Sequence, residues 1–191
     1  MIIRLPLVII VIATLLAGCS SREIQNSLTG STAQRLVSHS IDDLIVQLPE
    51  NEFARLAGKS VYVVSHFLYD SALKNYADQR LVFELENEYK AKVVTEIAKA
   101  DRVLTIFYTS LATDLDNFGF TIPIGYVPGM ADGAHLNVIT LEKFHGIAEL
   151  YYYLGEQNQQ RRGKTVQAVV KTDALGLPFI TIPLSNIDRA E

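Results

Sequence analysis

Apolar residues change their spacing along this chain, and the change selects the fold class. Leu36, Val37, Ile41, Leu44, Ile45 and Leu48 recur with the period of a helix face, and Pro49 closes the segment. Ser31 and Gln34 stand ahead of it at capping-box spacing. After Gly58, the run Ser60–Leu68 (SVYVVSHFL) is β-branched and aromatic, as in a buried strand. Leu73, Ala77, Leu81, Leu85 and Tyr89 return to one helix face, and Val93–Ile97 and Val103–Tyr108 read as strands. Strand-like runs recur at Leu136–Leu141, Ile147–Leu154, Thr165–Lys171 and Phe179–Leu184, and the polar stretch Gly155–Gly163 (GEQNQQRRG) suits a hairpin connection. Helix and strand periods that alternate and then give way to strands predict an α+β fold, or α/β with an antiparallel extension. The expected molecule is a single domain with about two helices on a mixed sheet of about five to seven strands. Leu111 to Ala134, rich in Gly, Pro and Asp, reads as a long loop; loops of that length are often functional.

The first residues have a different character. Met-Ile-Ile-Arg leads into Leu5–Leu16, which carries no charge. One cation before a short apolar run is the layout of a secretory signal. A membrane-spanning helix needs about 20 residues, and this run offers about 12. Leu16-Ala17-Gly18-Cys19 resembles the lipobox of bacterial lipoproteins, in which small residues precede an obligatory cysteine. The resemblance implies cleavage between Gly18 and Cys19, a lipid thioether on Cys19 and acylation of the new amino group. Residues 1–18 are then a removed signal, 19–30 a lipidated flexible tether and 31–191 the folded domain. Cys19 is the only cysteine, so no disulfide can form within a monomer. Ser20 follows it; in enterobacterial-type lipoproteins an Asp at that position favours inner-membrane retention. For a Gram-negative source, the implied location is the outer membrane, facing the periplasm.

The stretch Cys19–Gly30 (CSSREIQNSLTG) is polar and lacks sustained apolar periodicity, as a tether would. Twelve flexible residues reach roughly 20 Å, which keeps the folded part near its membrane. Loss of Arg4 with the signal leaves 16 Lys and Arg against 21 Asp and Glu. An acidic domain is poorly suited to nucleic acid or anionic headgroups, and no basic membrane-binding patch stands out. More than one acyl chain on Cys19 would anchor the protein unaided.

A second, fainter resemblance covers most of the remaining chain. A capped helix, the strand start Leu56-Ala57-Gly58-Lys59-Ser60-Val61-Tyr62-Val63, and Ala100-Asp101 before a strand resemble bacterial lipoproteins whose function is unassigned. The layout is also loosely similar to small α/β domains of lipoproteins in curli export, flagellar outer-membrane parts and peptidoglycan-synthase activation. It implies no functional residue here.

Several motifs lose their chemistry on inspection. Gly58-Lys59-Ser60 matches the end of a phosphate-binding loop, but Phe53 stands where its first glycine belongs, and Gly58 leads into a strand instead of a helix. Asp114, Asp116 and Gly119 match three positions of a calcium loop, but Phe118 and Gly125 break it. The two aspartates remain weak cation-ligand candidates, with turn stabilisation as their ordinary role. His39, His66, His135 and His145 lack zinc-motif spacing. His66 with Ser65 and Asp70 lacks the G-x-S-x-G turn of a hydrolase nucleophile. In Tyr151-Tyr152-Tyr153, Tyr151 and Tyr153 are expected against the core and Tyr152 outward, with Arg161 and Arg162 at the hairpin tip.

These features lead to a non-enzymatic lipoprotein that docks to or regulates an envelope assembly. Tyr152, Arg161 and Arg162 are its expected partner contacts, and no cofactor is expected beyond the covalent lipid on Cys19. The competing expectations are an envelope hydrolase using Asp114, Asp116, His66 or His135, and a small-ligand or metal module built on residues 111–134.

Overall fold

The computed structural model describes residues 21–23, 30–68, 70–125, 128–129, 135–178 and 180–185, with 21–23 and His135 described in backbone only. Leu16–Ser20, on which the signal, lipidation and sorting expectations fall, lie outside the described residues. The fold is α+β. Its elements are β1 (Ser21–Glu23), α1 (Ser31–Val46), α2 (Glu50–Phe53), β2 (Ser60–His66), α3 (Ala72–Asn87), β3 (Lys92–Val94), β4 (Arg102–Pro123), β5 (His135–Glu156), β6 (Gln159–Arg162), β7 (Val166–Gly176) and β8 (Thr181–Pro183). The mixed sheet has the strand order β3-β2-β4-β5-β7-β8, with β1 on β4 and β6 on β5. β2 pairs parallel with β3 and β4, whereas β1–β4, β5–β6 and β7–β8 are antiparallel. β1 falls within the segment expected to be a tether.

The chain divides into two compact units, described in turn. The first, Asn26–Asp114 with His145–Lys171, holds the helices. Its core joins Leu44 and Ile45 of α1, Leu81 and Leu85 of α3, Ile106 of β4 and Leu150 of β5. α1 packs along α3, and Asp42 ties them by accepting from Arg80 Nε at 2.7 Å and Tyr76 OH at 3.0 Å. Asp78 of α3 accepts from Ser65 Oγ at 2.8 Å, Lys74 Nζ at 2.9 Å and the buried Tyr108 OH at 3.1 Å, fixing the helix to β2 and β4. Asp101 joins the starts of β2 and β4: its carboxylate accepts from Ser60 N at 2.8 Å and Ser60 Oγ at 2.7 Å. Those two bonds favour the charged form and lower its pKa.

The cap of α1 differs from expectation. Gly30 occupies the N-cap of α1 and accepts Gln34 N, so Ser31 is the first helical residue and makes no capping box. α3 is capped by Ser71, whose Oγ accepts Lys74 N at 3.2 Å. Gly58 behaves as the turn before a strand: its φ of 72° is in the left-handed region that favours glycine.

The second unit, Met1–Gln25, Leu115–Phe144 and Thr172–Glu191, is made of strands where described. Here the expectation of a loop from Leu111 to Ala134 is corrected for residues 111–123, because β4 runs unbroken to Pro123; residues 126–127 and 130–134 lie outside the described residues. Gly119 and Pro123 carried the loop signal. A Cβ on Gly119 would lie 2.2 Å from Ile139 O and 2.6 Å from Thr140 Cα, so glycine is there to admit the neighbouring backbone. Pro123 sits at the last position of the strand.

Candidate partner-binding surface

Successive residues on a strand point to opposite sheet faces. Ile106, Leu150 and Tyr152 are buried in the helix-covered core, so Phe107, Tyr151 and Tyr153 project from the other face. This inverts the expected register of the tyrosine run. Tyr152 is fully buried, donates to Glu52 Oε2 at 2.7 Å and meets Phe53 edge-on at 5.2 Å between ring centroids. Burial first, then the Glu52 bond and charge, push its phenol well above the ordinary range. A Cβ on Gly163 would lie 2.1 Å from Tyr152 Cζ, so the chain turns past this ring only as glycine.

The outward face carries a stack that crosses four strands. His66 ends β2 and is paired in register with Phe107 of β4. Their rings lie 4.8 Å apart at 23°. Phe107 lies 5.1 Å from Tyr151 of β5 at 11°. On β6, the Arg162 guanidinium lies 4.8 Å from the Tyr151 centroid. Tyr153 closes the group edge-on, 6.1 Å from Phe107 and 6.2 Å from Tyr151. Neighbouring strands are about 4.7–4.9 Å apart, which matches stacked planar groups, so strand spacing itself builds the ladder. Each stacked pair contributes about 0.5–1.5 kcal/mol and an exposed cation–π contact about 0.5–1 kcal/mol. The result is a rigid, half-exposed surface of flat rings ending in a cation.

The two arginines do not act together as a hairpin tip. Both lie within β6, where Arg162 pairs with Tyr153 and Arg161 with Leu154, so their side chains leave opposite faces. Arg161 contributes to a groove of about 490 Å³ that Arg55, Lys59, Arg102 and Glu52 also line. Arg102 is partly neutralised by Glu156 at 2.9 Å. The sequence hid this basic groove, because its cations come from four separate segments of an acidic chain.

The residues of the hydrolase and metal expectations are placed elsewhere. Ser65 Oγ donates to Asp78 and the His66 ring lies on Phe107, so these sequence neighbours face different partners. Asp114 and Asp116 lie inside β4, which corrects their reading as turn residues. An extended strand does not wrap its side chains around one ion as a calcium loop does. Among the described residues, no group of three or more His, Cys, Asp or Glu is placed to hold a metal ion. The His135 side chain is outside the described residues. Among the described residues, no helix is long and apolar enough to cross a membrane.

No protein-family model matches this chain, and no curated protein is detectably similar to it.

Proposed function

We propose that this protein is a lipoprotein anchored through acylated Cys19 on the periplasmic side of the outer membrane, where it serves a non-enzymatic role in an envelope assembly. The Leu16-Ala17-Gly18-Cys19 lipobox supports the anchor, and Ser20 supports the destination. The observation that carries the docking role is the His66–Phe107–Tyr151–Arg162 stack. Aromatic rings and arginine are the groups enriched in the buried centre of protein interfaces. Rings already held in place lose little side-chain freedom when a partner covers them. A second reading, binding of a small anionic ligand, is favoured by the groove of Arg55, Lys59 and Arg161.

The test is site-specific photo-cross-linking in intact cells, with the reactive group at Tyr151 or, as a control, at exposed Glu86 on α3. A discrete adduct is expected from position 151 and not from position 86. Arg162→Glu is expected to reduce it at least several-fold without changing the melting temperature by more than a few degrees. An identical adduct pattern from both positions would contradict docking at the stack.

A further inference from the structure

Within the strand unit, the exposed apolar side chains follow a strict parity. On β4, Leu115 is buried, while Phe118, Phe120 and Ile122 are 62, 49 and 43% exposed. On β5, Thr140 is buried and Ile139 is 54% exposed. On β7, Ala174 is buried, and its neighbour Leu175 pairs with exposed Ile182 of β8. Ile180 and Leu184, two residues either side of Ile182, are exposed as well. A Cβ on Gly176, which shares the parity of buried Ala174, would lie 2.3 Å from Thr140 Oγ1, so the buried residues of β5 and β7 share one side and the apolar ones the other. No charged residue occurs from Asn117 to Gly125. A protein surface seldom exposes so many large apolar groups unless something covers them.

The position of β1 bears on what covers them. β1 runs antiparallel to β4 with Ser21 opposite Asn117, Arg22 opposite Asp116 and Glu23 opposite Leu115. Ser21, the first described residue, therefore lies at the Phe118 end of this pairing. Cys19 is two residues from Ser21, a reach of at most about 7 Å. From Phe118 to Ile122 the strand advances about 14 Å, close to half of a bilayer's roughly 30 Å hydrocarbon core. We infer that the Phe118–Phe120–Ile122 stripe, with Ile139 and Ile182, sits in the same lipid leaflet that receives the acyl chains of Cys19. This rests on the lipoprotein reading for its geometry. Acyl chains and stripe then form one composite anchor, and the strand unit lies in the membrane surface.

The chain has no tryptophan, so a single one reports its own surroundings. Phe120→Trp and Ile139→Trp place it on the stripe, and Phe83→Trp on the exposed side of α3 is the control. Each full-chain protein is isolated from membranes and reconstituted into phosphatidylethanolamine–phosphatidylglycerol vesicles with brominated acyl chains. Emission from the Phe120→Trp and Ile139→Trp proteins is expected to shift to shorter wavelength and be quenched, while the Phe83→Trp protein keeps its intensity. Intact mass on the same preparations reads the acylation of Cys19 separately. Quenching in both stripe variants without acyl mass would sink the lipoprotein reading and leave the stripe in lipid. Acylated protein with unquenched emission from both stripe variants would overturn the inference, and blue-shifted but unquenched emission would identify a second copy as the cover instead.

Discussion

Tyr152 and Tyr151 differ by one position and by everything that matters to their energetics. Tyr152 fills the core against Phe53 and satisfies its hydroxyl on Glu52; Tyr151 lies between Phe107 and Arg162 on the outer face. Tyr152→Ala is therefore expected to cost about 3–5 kcal/mol, as large-to-small aromatic changes in cores do. Tyr151→Ala should cost about 1–2.5 kcal/mol, the worth of a stacked pair and a cation–π contact. Denaturant melts on the two variants check this, and equal losses would contradict it. The alternation of this strand is legible in the sequence, but the structure inverts its expected phase. The clue is Glu149, which shares parity with Tyr151 and Tyr153, while Ala148, Leu150 and Tyr152 form the apolar set. Three adjacent tyrosines mask it because each is apolar enough to pack and polar enough to face out.

Among the elements, the two long helices follow from periodicity, and α2 and the long strands do not. α1 and α3 end close to where the apolar spacing ends, because each buries one stripe against the sheet. Glycine and proline signals break β4 and β5 into pieces in the sequence, although the cause of those residues is tertiary. Gly119 yields to the backbone of β5, and Gly146 yields to α1: a Cβ there would lie 2.2 Å from Leu36 O and 2.4 Å from Leu36 C. Gly146→Ala must therefore push α1 off β5, at about 2–3 kcal/mol, near the upper end for overpacking. A loss below about 0.5 kcal/mol in a urea melt would show that α1 rides on β5 too loosely for that contact to matter. The aromatic ladder is illegible for a related reason. His66, Phe107, Tyr151 and Arg162 are brought together by the parallel β2–β4 pairing and the β5–β6 hairpin, and neither register is written in local sequence.

At the scale of the whole molecule, the α+β class is legible because the spacing of apolar residues switches period at each element boundary. The basic groove is not, since Arg55, Lys59, Arg102 and Arg161 are scattered along a chain whose total charge is −4. An acyl anchor, an apolar stripe close to it and a ring-lined face for docking make up the proposed device. The anchor depends on what happens at Cys19. The most direct test is the intact mass and N-terminal peptide of the protein extracted from its own membranes, beside a Cys19→Ser variant. The expected mature chain begins at Cys19, carries acyl chains on it and loses them in the variant, which stays unprocessed. A wild-type protein that retains Met1 and an unmodified Cys19 would contradict the account.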